Sequence, residues 1–104
     1  MIVVTTDTVQ DREIYKVLGL VQGSVVRAKN LGRDIGAAFK SIVGGEIKDY
    51  SKMLSESREI ALNRMIEDAE KMGANAILNV RFTTSAIMGG ASEILAYGTA
   101  VKLK

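Results

Sequence analysis

The stretch GANAILNVRFTTSAIMGGASEILAYGTAVKL, residues 73–103, decides the fold. Two strand-like segments flank Gly89-Gly90, a pair that favours a two-residue hairpin turn. That turn sets a register in which one face is nearly continuous and apolar. The predicted pairs on that face are Met88/Ala91, Ala86/Glu93, Thr84/Leu95, Phe82/Tyr97, Val80/Thr99, Leu78/Val101 and Ala76/Leu103. On the other face, small and polar, Arg81 is predicted to lie flat across Gly98.

The composition is that of a soluble globular chain and excludes several kinds of chemistry. The 104 residues suit one domain, residues 1–104, and 47% of them are hydrophobic. The 14 basic and 12 acidic residues are evenly spread and leave a charge of +2, so nucleic-acid binding is not expected. Cys and His are absent, which excludes disulfides, thiolate or imidazole catalysis and the usual zinc sites. The apolar runs are too short to span a membrane and no signal segment is recognisable, so we expect a cytoplasmic protein without membrane contact.

Two more strands are predicted in the N-terminal half. The first covers residues 1–5, and the second runs from about Glu13 to Arg27. The second strand is apolar on both faces, whereas a strand covered on one side alternates more cleanly. It is therefore either central and covered twice or bent at Gly19 or Gly23. Contact between subunits is a natural cover for it.

Two amphipathic helices are predicted between these strands and the hairpin. Asn30 caps the first, which ends at Gly44-Gly45, and its apolar residues are Leu31, Ile35, Ala38, Phe39 and Ile42. The second begins at Asp49 or Ser51 and ends at Met72. Its predicted buried stripe is Leu54, Ala61, Leu62, Met65, Ala69 and Met72, and its solvent side is Glu56, Glu59, Asn63, Glu67, Glu70 and Lys71. The order β-β-α-α-β-β predicts an α+β fold, an antiparallel sheet with two helices on one face.

An ordered set of short motifs resembles the YbjQ family of small uncharacterised proteins over nearly the whole chain. The motifs are Gly23-Ser24-Val25-Val26-Arg27, Asp34, Val43-Gly44-Gly45, Tyr50, Arg58-Glu59-Ile60-Ala61, Gly73-Ala74-Asn75-Ala76 and Tyr97-Gly98-Thr99-Ala100-Val101. The resemblance implies a ring-forming subunit, YbjQ-like or dodecin-like, and a homopentamer. The family is described as "putative heavy-metal-binding". This chain lacks the Cys and His ligands that soft metals favour, so we assign no metal residues and expect no cofactor.

Arg58 is the strongest candidate for a binding residue, because it stands between Leu54 and Leu62 on the apolar stripe of the second helix. A guanidinium there must be paired or must reach a cavity. One interpretation is a recessed site for a small anionic ligand, shared with Arg81 or Arg64. The other is a structural ion pair with Glu46, Asp34 or Glu93, inside one subunit or across an interface. The ion pair is the favoured interpretation.

The other candidates each have a simpler explanation. Gly44-Gly45 before Glu46 could expose backbone N–H groups to an anion, but a helix end and tight connection explain the pair better. Glu46 and Glu93 could act as a facing carboxylate pair, although an exposed or ion-paired role is favoured. The methionines, Met53, Met65, Met72 and Met88, are interpreted as core filling rather than metal ligands. Three scattered tyrosines, among them Tyr97, do not make a base-stacking platform.

These observations predict a non-enzymatic homo-oligomer that binds a small ligand or ion or has a structural role. One alternative is an enzyme that uses Arg58, Arg81, Glu46, Glu93 and Tyr97, which would have to converge in a pocket that excludes water. The other is a nucleic-acid-binding ring that uses Arg27, Lys29 and Arg33, with affinity that falls steeply with salt.

Overall fold

A computed structural model describes residues 1–28, 42–43 and 46–104, with side chains for residues 1–28 and 50–104. The strands are β1 (Ile2–Val3), β2 (Ile14–Ala28), β3 (Ile42–Val43), β4 (Glu46–Ile47), β5 (Ala76–Ala86) and β6 (Ala91–Leu103), and the helix is α1 (Lys48–Lys71). The second predicted helix and the three longer predicted strands are thereby confirmed. Most of the first predicted helix, from Asn30, lies outside the described residues. Ile42, assigned to that helix, belongs instead to the short β3–β4 hairpin.

Four strands form one mixed sheet in the order β1-β5-β6-β2. The β5–β6 and β6–β2 pairs are antiparallel, but β1 runs parallel to β5, with Ile2 opposite Ala76. The prediction of a purely antiparallel sheet was therefore wrong. The N-terminal segment runs along the edge of β5 that β6 does not occupy. There Ile2 N–H donates to Asn75 C=O, and Val4 N–H donates to Ile77 C=O.

The β5–β6 hairpin has the predicted turn but a different register. Gly89 and Gly90 both have positive φ, 57° and 81°, as the predicted two-residue turn requires, and Ala91 N–H donates to Met88 C=O. The next bond joins Ile87 N–H to Ala91 C=O, so Ile87 and Met88 together oppose Ala91. This extra residue shifts the ladder by one, and Phe82 lies opposite Ala96 instead of Tyr97.

A second bulge in β5 corrects the predicted partner of Gly98. Pairing passes from Leu78/Thr99 directly to Arg81/Tyr97, so Asn79 and Val80 together oppose Gly98. Asn79 takes the left-handed conformation, with φ at 54°, which Asn tolerates better than most residues. A Cβ at Gly98 would lie 2.8 Å from Ile77 Cγ2 and 2.9 Å from the Leu78 carbonyl oxygen. Glycine is therefore required there by the bulge, and Arg81 does not lie across it.

Helix α1 packs mainly on β2 and β6 and covers one face of the sheet, here called the helix face. The core residues on that face include Val21, Ile94 and Met65. Gly23 makes the close approach possible, because a Cβ there would overlap the main-chain atoms Ala61 O and Met65 N. The sheet's glycine therefore sets how near the helix lies.

The buried stripe of α1 differs in part from the predicted one. The buried residues recur every four positions, at Met53, Ser57, Ala61, Met65 and Ala69. Leu54 and Leu62 are only half-buried, and Met72 is exposed. All of the predicted solvent-side residues are exposed, namely Glu56, Glu59, Asn63, Glu67, Glu70 and Lys71. Ser57 fits the apolar stripe because its hydroxyl donates to Met53 C=O at 2.7 Å.

Among the described residues, the opposite side of the sheet, here called the far face, is covered only at one end. Ile2, Val4 and Val9 of the N-terminal segment pack there on a second buried cluster of Ala76, Leu78, Val101 and Leu103. Along the rest of β2, the far face carries apolar side chains that no described residue buries. Over most of its length, the strand predicted to be apolar on both faces is thus covered by described residues on one face.

Candidate functional site

Arg58 lies at an open groove between α1 and the β5 side of the helix face. The groove has a volume of about 460 Å³ and is lined by Ser55, Glu56, Arg58, Glu59, Leu62 and Phe82. Its apolar part is Leu62 and the ring of Phe82, and Phe82 is 45% exposed. Four of the lining residues, at positions 55, 58, 59 and 62, follow helical spacing and therefore share one side of α1. The groove combines an aromatic surface with charged groups.

The sequence-based interpretation of Arg58 as a buried charge was wrong. The residue is exposed, because the stripe that α1 buries runs one position away, through Ser57 and Ala61. Its Nη2 donates to Ser55 Oγ at 3.0 Å, a neutral acceptor on the preceding turn. Glu93 is not a described partner, while Asp34 and the Glu46 side chain lie outside the described side chains. An exposed guanidinium of this kind can bind an anion, but solvent weakens the attraction.

The other two candidate arginines do not join Arg58. Arg64 Nη1 donates to Ser24 C=O at 2.6 Å. Arg81 pairs with Tyr97 across the β5–β6 ladder, which places both on the far face, and its Nη1 donates to Thr5 C=O at 2.9 Å. Arg58 and Arg81 are therefore on opposite sides of the sheet. The anion site built from several arginines does not form within the described chain.

The remaining candidates do not converge on the groove either. Gly44 and Gly45 lie outside the described residues, and Glu46 is described only as the backbone partner of Val43. Glu93 lies opposite Ser85 and Val26, on the far face and partly buried. The facing pair of Glu46 and Glu93 is thus not part of the described structure. Of the nucleic-acid trio, Arg27 contacts Glu56 at 3.3 Å, and Lys29 and Arg33 lie outside the described residues.

An exposed apolar patch lies on the far face of the described sheet. It is formed by Val17, Leu20, Val26 and Tyr97 and is here called the far-face patch. Their exposed fractions are 61%, 69%, 56% and 36%. The first three lie on β2, and Tyr97 lies opposite Gln22 on β6. The apolar residues on both parities of β2 predicted such a patch. The sequence did not reveal the register shift between Val17 and Gly19, which places Val17 on the same face as Leu20 and Val26.

Polar contacts that the sequence did not reveal join distant segments. Tyr50, at the start of α1, has its hydroxyl 2.9 Å from Ser92 Oγ, close to the hairpin turn. Asn75 forms two bonds with one residue: Nδ2 donates to Leu103 C=O at 3.0 Å, and Leu103 N–H donates to Oδ1 at 2.7 Å. A lone Tyr, Ser or Asn gives no periodic signal, so only the folded chain identifies these partners.

The methionines do not form a thioether site in the described structure. Met53 and Met65 are buried in the core, as predicted. Met72 and Met88 are exposed, Met88 by 77%, so the prediction of core filling was wrong for these two. The described residues contain no group of three or more His, Cys, Asp or Glu side chains placed to hold a metal ion.

No helix in the described part of the chain is both long and apolar enough to cross a membrane.

Comparison with known proteins assigns the family. The family model YbjQ_1, described as "Putative heavy-metal-binding", matches residues 1–104. A UPF0145 protein of Methanosarcina acetivorans is 62% identical over 103 residues, covering 99% of this chain and 97% of that protein. One of Photobacterium profundum is 64% identical over 103 residues, covering 99% and 100%. One of Thermotoga maritima is 57% identical over 104 residues, covering 100% and 98%.

A solved structure supports the fold. The crystal structure of a protein of unknown function from Pediococcus pentosaceus, assigned to the DUF74 family, superposes with a TM-score of 0.66. It shares 14% sequence identity, and the match covers 100% of this chain and 98% of that one. At this identity the likeness concerns the α+β fold alone. From the full-length family match and the close relatives, the chain belongs to the YbjQ family.

Proposed function

We propose that this protein is a non-enzymatic, cytoplasmic homo-oligomer, a pentameric ring, that carries a site for a small ligand. The observation that carries the proposal is the far-face patch. A sheet face with several large apolar side chains in water is typical of a contact surface. Complete burial of one such side chain contributes about 1.5–3 kcal/mol. The four together therefore contribute a substantial part of the free energy that offsets the loss of translational and rotational freedom on association.

The partner that we propose for the patch is another copy of the chain. In the sequence, β2 already has the apolar residues of a strand covered on both faces. The helix of the same subunit supplies one cover, and a second copy supplies the other. The number five rests on the family relationship, because the YbjQ resemblance implies ring-shaped pentamers.

The ligand site that we propose is the groove beside Arg58. The guanidinium offers five N–H donors, of which one meets Ser55 Oγ at 3.0 Å. Leu62 and Phe82 supply apolar surface next to that charge. A small anion with an apolar body suits this combination. Glu59 at the same groove opposes a purely ionic ligand, so the apolar contact has to contribute to the binding.

A tightly bound heavy metal does not fit the chain. The family description names heavy metals, whose preferred protein ligands are thiolate and imidazole. The sequence has no Cys and no His, and two of its methionine sulfurs, those of Met53 and Met65, are buried in packing. Surface carboxylates and the exposed thioethers of Met72 and Met88 are the weaker metal ligands that the described chain offers.

Sedimentation velocity and native mass spectrometry test the proposal together. The wild type at micromolar concentration is expected to have five subunits. Leu20→Glu, which puts a charge at the centre of the far-face patch, is expected to release monomers. Asn63→Glu adds the same charge on the solvent side of α1 and is expected to keep five subunits. A monomeric wild type, or an intact assembly of Leu20→Glu, would contradict the proposed contact.

The same spectra test the ligand. Wild-type protein purified in a volatile buffer is expected to show an adduct mass that Arg58→Gln lacks. If the spectrum shows no adduct and a titration shows no binding of benzoate or naphthoate, the groove is not a ligand site. That outcome would not affect the conclusion about the number of subunits.

A further inference from the structure

The outer edge of β2 has the features of a strand acceptor. In the described sheet β2 is an edge strand, paired only with β6, and it is 15 residues long. Alternate residues of such a strand direct their N–H and C=O groups away from the sheet, where a further strand can bind them. Long apolar edges of this kind recruit other chains unless something blocks them.

Two side chains of α1 bind the outward groups at the middle of this edge. Gln22 N–H donates to Asp68 Oδ2 at 3.3 Å, and Ser24 C=O accepts from Arg64 Nη1 at 2.6 Å. One outward donor, the Gln22 N–H, thus meets a carboxylate, and one outward acceptor, the Ser24 C=O, meets a guanidinium. We call Arg64 and Asp68 the edge guard.

The spacing of strand and helix explains why these two positions match. Gln22 and Ser24 are two residues apart, about 6.6 Å along a strand. Arg64 and Asp68 are four residues apart, about 6 Å along a helix. The two pairs therefore align when the helix lies alongside the strand. Arg27 and Glu56, 3.3 Å apart, form a further contact between β2 and α1.

Gly23, between the two guarded residues, lets the helix lie close enough to β2 for Arg64 and Asp68 to reach its outer edge. A Cβ at this position would overlap Ala61 O and Met65 N, so the backbones of helix and strand are in direct contact. From that distance the long Arg64 side chain and the shorter Asp68 side chain reach the strand edge. A larger residue at position 23 would move both away.

We propose that the edge guard closes β2 to a second copy of this chain, whose own β2 would otherwise add antiparallel to it. A strand can add there only by displacing a charged hydrogen bond at Gln22 and another at Ser24. A charged partner strengthens a hydrogen bond most when the bond is short, as it is between Arg64 and Ser24 at 2.6 Å. The guard thus directs association away from the sheet edge and makes the edge a latent strand-acceptor site. It is independent of how many subunits the normal assembly has.

Two variants that disable the guard provide the test. Arg64→Ala/Asp68→Ala removes both side chains. Arg64→Asp/Asp68→Arg keeps the net charge but places a carboxylate against the Ser24 carbonyl and a guanidinium against the Gln22 amide. Glu67→Ala/Lys71→Ala is the matched control, since these exposed residues have the same spacing and opposite charges on α1. Subunit number is measured by sedimentation velocity across protein concentration, and backbone amide exchange by NMR.

Both guard variants are expected to form concentration-dependent species larger than the wild-type assembly, and the control is expected to match the wild type. In the associated species the Leu20, Gln22 and Val26 amides become protected together. Guard variants that keep the wild-type subunit number up to the highest concentration measured would overturn the proposal.

The wild type supplies a second test that does not depend on the variants folding. The Leu20 and Val26 amides point to the same edge by strand alternation and lie outside the guarded pair. Exchange of the Gln22 amide is expected to be about tenfold slower than theirs, from its bond to a charged acceptor. Equal rates at the three positions, or protection of all three that grows with protein concentration, would overturn the proposal.

Discussion

Gly23→Ala is the most demanding test of how helix and sheet fit together. The added methyl group would overlap main-chain atoms of Ala61 and Met65, and a helix backbone cannot rotate aside as a side chain can. The helix would have to retreat by about 1 Å, and a gap of that size forfeits roughly a quarter to a half of each dispersion contact. The contacts affected include those of Val21 and Met65, both fully buried.

The free energy of unfolding is expected to fall by about 3 kcal/mol, the upper end of the range found for overpacked cores. Urea unfolding followed by circular dichroism measures it, at one fixed protein concentration because association adds stability. Gly89→Asn is the control. Gly89 has a φ of 57°, and a Cβ added there would meet no heavy atom within 4 Å; Asn accepts this conformation in hairpin turns. The control is expected to stay within about 0.5 kcal/mol of the wild type. A Gly23→Ala protein within about 1 kcal/mol of the wild type would refute the tight helix–strand contact.

Two further substitutions test single side chains. Arg58→Met is expected to change the free energy of unfolding by less than about 1 kcal/mol in urea, because the guanidinium is exposed; a loss of about 3–5 kcal/mol would reveal a buried carboxylate partner. Asn75→Ala removes both hydrogen bonds to Leu103. It is expected to lower the free energy of unfolding by about 1–3 kcal/mol and to speed exchange of the Leu103 amide. An unchanged exchange rate would show that these side-chain bonds do not hold that strand end.

The elements predictable from sequence are those with a strong local signal. The glycine pair of the hairpin, the long apolar β2 and the end of α1 shortly before Gly73 each follow from a short pattern. The bounds of β1, β2, β5, β6 and α1 differ from the predictions by a few residues at most, whereas the β3–β4 hairpin was not predicted. The solvent side of α1 is correct throughout. Family membership also followed from the order of short motifs, which the full-length match confirms.

The predictions that were wrong concern features that depend on a bulge residue or on contacts between distant segments. One bulge at Ile87-Met88 is enough to turn Phe82 and Tyr97 to opposite faces of the sheet, since side chains alternate with a period of two. Nothing local distinguishes that bulge from a regular two-residue hairpin. The expectation for Arg58 failed for a similar reason. The buried stripe of α1 runs through Ser57 rather than Arg58, so Arg58 lies outside the core. Ser57 can be buried because its hydroxyl donates to the Met53 carbonyl.

The symmetry of the proposed ring places a condition on its contacts. A two-fold dimer brings the same patch of two subunits together, whereas a ring of five has to join two different surfaces of each subunit. The far-face patch can be only one of them. With the β2 edge closed by Arg64 and Asp68, the second surface has to come from elsewhere. Large exposed apolar side chains lie at the hairpin end of the described sheet, at Phe82, Ile87 and Met88, and also at the start of β2, at Ile14 and Tyr15. A ring therefore requires a second contact in addition to the one at Leu20, whereas a face-to-face dimer requires Leu20 alone.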